Sequence, residues 1–143
     1  MILFTHESAY KILTGKKWMT ARCWKRPRAK AGAYHYAQLN RRAESRFARI
    51  RILSVEEWDG KSADRKFAEA EGFESSTAFL FSYWSLNDHK MQDEDRKHYK
   101  IAFKVIDIFQ PYPPITIEGK QFFNRDFAKY EIQQLYLPLS EFQ

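Results

Sequence analysis

The feature that most constrains this chain is a repeated switch in the period of its apolar residues. Met19, Ala21 and Cys23 alternate with Trp18, Thr20 and Arg22; Ala48, Ile50 and Ile52 alternate with Arg49 and Arg51; and Tyr99, Ile101, Phe103 and Val105 alternate with Lys100, Ala102 and Lys104. A period of two belongs to a strand with one buried face. Between these stretches the period lengthens to that of a helix. Residues 7–14 align Ala9, Ile12 and Leu13, with Gly15 where a left-handed closing residue belongs. Ser62 reads as the N-cap of a helix running to Glu71, with Ala63, Phe67 and Ala70 aligned and Gly72 ending it. Ser75 or Ser76 caps a further helix, Thr77 to Leu86, so apolar (Phe79, Leu80, Phe81, Tyr83, Trp84) that it is expected to be largely buried. Ile2-Leu3-Phe4, Ala33 to Leu39 and the flanks of Phe47 to Val55 complete the strands. This order predicts a mainly antiparallel α+β domain, a small β-barrel with helices at its ends.

The chain has 143 residues, 44% hydrophobic and 17% aromatic, which is enough for one real core and excludes wholesale disorder. It contains no run of about 18 apolar residues, and patterned structure begins just after Met1, so neither a membrane span nor a leader is expected. Its single cysteine, Cys23, excludes an internal disulfide and a Cys-rich zinc cage, and makes a reducing cytoplasm the expected location. Alternation turns Cys23 toward the apolar face, as inert core.

Charge is divided unevenly. Residues 1–53 hold 13 Lys/Arg against Glu7 and Glu44, a net of +11, whereas residues 54–143 carry a net of −5. Four of the cations, Lys25, Arg26, Arg28 and Lys30, cluster in a loop from Trp24 to Gly32 that proline and glycine mark as irregular. With Arg49 and Arg51 they are candidates for a phosphate-bearing partner such as RNA; the competing reading is a solvated surface. Asn87 to Arg96 reads as a polar loop. Pro111, Pro113 and Pro114 break regularity, and residues 115–143 form an aromatic extension without a clear pattern.

The segment Ile12-Leu13-Thr14-Gly15-Lys16-Lys17-Trp18-Met19-Thr20-Ala21-Arg22 resembles the opening of ASCH domains, where a helix ends in Gly-(Lys/Arg)-Lys and a strand follows ending in Thr-x-Arg. Phe67-Ala68-Glu69-Ala70-Glu71-Gly72-Phe73, the Phe-rich helix after it and an Ile-x-Phe strand extend the likeness over residues 2 to about 110. The resemblance implies a PUA-like barrel over 1–110, with 111–143 as a C-terminal extension packed on the same domain. Members of that superfamily bind RNA, and a subgroup of small bacterial members hydrolyses N4-acetylcytidine and related N4-acylated cytosine compounds. Residue by residue, the subgroup's lysine, threonine and glutamate fall on Lys17, Thr20 and Glu71. Trp18, Trp24, the basic loop and residues 111–143 depart from the subgroup's pattern.

Hydrolysing an amide requires a nucleophile, a base that activates it and an acid for the leaving amine. Thr20 offers a hydroxyl. Lys17 is a base only if burial or a nearby cation lowers its pKa, and Arg22, on Thr20's face, is such a cation, a clamp for a carbonyl, or a structural ion-pair partner. Glu71 ends its helix, where the macrodipole disfavours negative charge, a setting that suits a group handling a proton. Trp18 and Trp24 are candidates to stack on a base, Trp24 equally to pack. Strict alternation puts Lys17 and Thr20 on opposite faces; they converge only if Lys17 still lies in the turn after Gly15, or if the strand bulges.

His89, Asp93 and His98 sit in a charged stretch without tight ligand spacing, so neither a metal nor another cofactor is expected. His35, beside tyrosines, reads as a core or rim residue. The leading expectation is a metal-independent amidohydrolase acting on a small nucleoside substrate, with Trp18, Arg22 and Trp24 shaping the pocket. The alternatives are a non-catalytic RNA-binding module and a ribonuclease on the same fold. The +11 excess favours the RNA readings, because a free nucleoside carries no phosphate.

Overall fold

The computed structural model of the chain describes residues 1–122. Thr5 caps the first helix, α1 (His6–Leu13), by accepting from the Ser8 backbone N–H, and Gly15 follows it at φ 74°. The strands are β1 (Ile2–Leu3), β2 (Met19–Trp24), β3 (Tyr34–Gln38), β4 (Arg46–Trp58) and β5 (Lys97–Ile108). They form one sheet in the order β1-β3-β4-β5-β2, with β1 parallel to β3 and the other pairs antiparallel. Register shifts in β4 at Arg49/Ile50 and Ile52/Ser54 mark irregularities of the kind that bend a long strand, and the sheet curls into a half-barrel.

The expected inward faces of the long strands form the main core: Ala48, Ile50, Ile52, Ile101 and Phe103 are essentially inaccessible, packed with Phe4, Ile12, Leu13 and Phe47. A second core forms on the other side of β2. Cys23, Met19 and Ala21 face Phe67 and Ala68 of α2 (Arg65–Ala70) and Phe79 and Tyr83 of α3 (Ser76–Asn87) there. β2 is thus covered on both sides, and the Cys23 thiol is buried and pushed up in pKa by that burial.

Three expectations need correction. The cap of α2 is Asp64, which accepts from Phe67 N at 2.7 Å, whereas the Ser62 hydroxyl bonds Asp59 in the preceding turn. A carboxylate one turn before Phe67 outcompetes a hydroxyl placed too early. Helix α3 is not largely buried: Phe79 and Tyr83 are, but Phe81, Trp84 and Leu86 are 71%, 42% and 60% exposed. The helix lies on the outside of the sheet and rests one face on it, so an apolar sequence all round leaves half its rings in solvent. The region after the prolines is not wholly irregular, since β6 (Ile115–Ile117) and β7 (Lys120–Phe122) make a hairpin. Tyr112 and Ile115 join the main core. The rest of the extension, 123–143, lies outside the described residues.

Candidate functional site

The turn after α1 decides where Lys17 goes. Lys16 N and Lys17 N both donate to the Lys11 carbonyl, at 2.7 and 3.1 Å, folding the chain back on the helix end. Trp18 N then donates to Ala70 O of α2, and Trp18 O accepts from Phe103 N of β5. Lys17 therefore precedes β2, and strand alternation does not apply to it. It shares one cavity of about 220 Å³ with Thr20, Arg22 and Glu71. The three residues matched to the subgroup's lysine, threonine and glutamate are brought together, as the turn alternative allows.

All three are buried, with Lys17 5%, Thr20 4% and Glu71 2% exposed. The Lys17 ammonium is ion-paired with Glu71 Oε1. Burial pushes the Lys17 pKa down, Glu71 pulls it up, and the positive charges of Arg22 and Lys11 push it down further. Arg22 is part-buried; its Nε–H donates to Thr20 Oγ1 at 3.2 Å, its guanidinium lies 4.9 Å from the Phe4 ring centroid, and burial lowers its pKa to about 10. Arg22 is thus both a neighbour of the hydroxyl and a cation bearing on Lys17.

Glu71 is the C-cap of a six-residue helix, so the dipole it meets is short and the Lys17 charge dominates its surroundings. Its second oxygen, Oε2, is buried without a hydrogen-bond partner among the described residues. Leaving such an atom unpaired costs about 1–3 kcal/mol. It belongs to a residue that lines the cavity, which gives the wall an acceptor waiting for a donor.

The remaining walls come from elements that sequence reasoning left out of the site. Phe4, Thr5 and Ser8 contribute from the start of α1, and Phe79, Ser82, Tyr83, Leu86 and Asn87 from α3. The α3 set follows the i, i+3, i+4, i+7, i+8 pattern of one helix face, with Ser82 and Asn87 as polar interruptions among rings. That interruption is the signal that could have marked the face. The Tyr83 hydroxyl is turned to His98 Nδ1 at 2.6 Å, and burial raises its pKa.

Other sequence-based candidates lie elsewhere. Trp24 is 8% exposed in the main core, its ring 5.9 Å from that of Tyr99. Trp18 lines two more open depressions, of about 680 and 170 Å³, and not this cavity, because β2 starts only at Met19 and the expected face-sharing with Thr20 does not reach back to it. Lys25, Arg26, Arg28 and Lys30 are exposed in the loop after β2, with Lys25 3.8 Å from Asp93. Arg49 and Arg51 point outward from β4. His98 packs edge-on against Trp58, and no group of three His, Cys, Asp or Glu side chains suited to a metal occurs among the described residues. None of the described helices is long and apolar enough to cross a membrane.

No family model and no curated protein matches the sequence. Solved structures do. A DUF984 protein of Enterococcus faecalis V583 is similar at a TM-score of 0.57 and 19% identity, covering 79% of this chain and 86% of that one. The ASCH domain of Lactobacillus crispatus JV V101 is similar at 0.56 and 18% identity, covering 69% and 70%. At such identities the likeness speaks for the fold alone. With a curled, mainly antiparallel sheet and three α-helices among the described residues, the chain has the α+β, PUA-like fold of the ASCH domains.

Proposed function

We propose that the protein is a metal-independent amidohydrolase that deacylates N4-acylated cytosine nucleosides through Lys17, Thr20 and Glu71. The observation that carries this reading is the Glu71 carboxylate: one oxygen holds the Lys17 ammonium, the other is buried without a partner, and both residues line the cavity that Thr20 enters. A buried ion pair is weak evidence for stability, because desolvation offsets its attraction, so its place in a cavity wall calls for another role.

In this reading Lys17, whose lowered pKa lets it lose its ammonium proton to solvent, takes the proton of Thr20 Oγ1 as that oxygen attacks the acyl carbonyl. Charge on the former carbonyl oxygen meets the Arg22 guanidinium, which already contacts the hydroxyl. The C–N bond then breaks, the proton passes through the Lys17–Glu71 pair to the leaving N4, and cytidine departs, leaving an ester on Thr20. Water adds to the ester, the C–O bond breaks, and the carboxylic acid leaves with Thr20 regenerated. The cavity, about 220 Å³, is below the roughly 300 Å³ at which small-molecule pockets usually begin. It suits the acylated edge of the base, with the ribose outside.

The test is incubation of the full chain with N4-acetylcytidine, following cytidine and acetate by chromatography and an acyl-Thr20 adduct by mass spectrometry. Turnover that Thr20→Ala leaves intact rejects the nucleophile, and no turnover on any N4-acylcytosine rejects the reading. The RNA-binding alternative is supported by the +11 of residues 1–53. That charge is compatible with either activity, since the loop cations and the outward β4 arginines are not among the residues lining the cavity.

A further inference from the structure

Helix α3 supplies one wall of the Lys17 cavity, through Phe79, Ser82, Tyr83, Leu86 and Asn87. Apolar contact alone sets the rotation of this helix weakly. Phe79 and Tyr83 are buried while Phe81, Trp84 and Leu86 stay exposed, so turning the helix about its axis exchanges one apolar set for another. Directional bonds separate such rotations sharply. Two of them hold α3. The Tyr83 hydroxyl is bonded to Nδ1 of His98 at 2.6 Å, and the indole N–H of Trp84 donates to the Gly60 carbonyl at 2.8 Å. Consecutive residues of a helix point about 100° apart, so bonds made at positions 83 and 84 reach out in two directions and together fix the rotation.

The two anchors form one unit. His98 stands in β5, opposite Cys23 of β2 and Trp58 of β4, with its ring edge-on to that of Trp58. Gly60 follows β4 at φ 75° and lies against the imidazole, where an added Cβ would come to 2.5 Å from the ring. Only glycine lets this turn bring its carbonyl to Trp84 while resting on His98. His98, Gly60 and Trp84 do not line the cavity; Tyr83 does.

We propose that His98 and Gly60 are positioning residues for the Lys17 cavity: they fix the rotation of α3 and so decide that Ser82, Leu86 and Asn87 face the substrate. That substrate is the one of the deacylation reading, on which this inference rests. The reacting groups stand on other elements, Lys17 in the turn after α1, Thr20 and Arg22 on β2, and Glu71 at the end of α2. A loosened α3 therefore weakens the hold on the substrate and leaves those groups in place, which reads as a raised KM with kcat kept. General loss of structure does the reverse: it removes active molecules and lowers kcat at an unchanged KM.

The experiment is steady-state kinetics of the full chain on N4-acetylcytidine, paired with the hydrogen-exchange rate of the Trp84 indole N–H by NMR, which needs no turnover. Tyr83→Phe and His98→Leu are each expected to raise KM about two- to tenfold, the span of one lost hydrogen bond, with kcat kept, and to speed Trp84 exchange. The double variant is expected to be no worse than either single one, because both remove the same bond. His98→Asn, whose amide serves the hydroxyl as acceptor or donor, is expected to restore KM and exchange. Gly60→Ala, which drives a methyl into the His98 ring, is expected to raise KM as well. With turnover, an unchanged KM in the folded Tyr83→Phe and His98→Leu variants, or a lowered kcat at unchanged KM, overturns the proposal. If the parent chain turns over no N4-acylcytosine, the deacylation reading falls and the exchange rates decide alone: faster Trp84 exchange in His98→Leu upholds the anchoring of α3, and an unchanged rate overturns it.

Discussion

The Lys17–Glu71 cavity and the outward face of β3 and β4, where Arg46, Arg49 and Arg51 rest on Tyr36 and Tyr34, both concentrate charge, but in opposite ways. In the cavity a cation and an anion are taken out of water together, 5% and 2% exposed, and the carboxylate bears on the proton of the lysine. On the sheet face three cations remain in contact with solvent and are steadied by rings instead of carboxylates. Burial makes charge sensitive to its neighbours and so useful for moving protons; exposure keeps it available to an outside anion. The difference separates charges that act on each other from charges that face outward.

The largest expected effect breaks the cavity half of that comparison. Thr20→Ala and Lys17→Met are each expected to abolish deacylation, because residues acting as a unit lose nearly everything when one is removed. Steady-state kinetics on N4-acetylcytidine checks this, with circular dichroism showing that the fold is kept. Residual activity above about a tenth of the parent in Thr20→Ala would assign the nucleophile elsewhere.

The next effect is on stability. Glu71→Ala leaves the Lys17 ammonium buried and alone, and is expected to cost about 3–5 kcal/mol in chemical denaturation. Replacing both partners by Leu and Met is expected to recover most of it. Arg49→Ser, which removes a solvated charge, should stay within about 0.5 kcal/mol. Equal losses at Glu71 and Arg49 would erase the contrast.

A smaller effect sharpens the electrostatic link inside the cavity. A base must be neutral, so kcat/KM is expected to rise with pH through the Lys17 pKa, which burial holds below its ordinary 10.5. Arg22 pushes that pKa down further, so Arg22→Gln removes a positive charge and should move the rising limb to higher pH while also lowering kcat. A limb that stays in place would reduce Arg22 to contact with Thr20 alone. The smallest effect is expected in the basic loop. Changing Lys25, Arg26, Arg28 and Lys30 to Ser should flatten the salt dependence of RNA binding, by up to ~0.7 for each phosphate the loop no longer holds, and leave the melting temperature almost unchanged. Lys25 already has Asp93 beside it, so it is expected to contribute least of the four.

The sequence by itself determined the α+β order, the inward faces of β4 and β5 and the turn at Gly15, because each is written in local period and backbone preference. Lys17, Thr20 and Glu71 were legible as a set only through the resemblance, since nothing local joins residues 54 positions apart. Tertiary structure decided the rest. It put Lys17 in the turn and out of strand alternation by bonding its neighbours to Lys11, Ala70 and Phe103. It sent Trp24 to the core and Trp18 away from the cavity, which aromatic character alone does not distinguish. It also chose which side of α3 meets β2, so that Ser82 and Asn87 became cavity wall while Phe81 stayed in water. Ser82 and Asn87 mark one face of α3 only faintly, because rings stand on its other sides as well, and the shape of the surface it lands on selects the buried face.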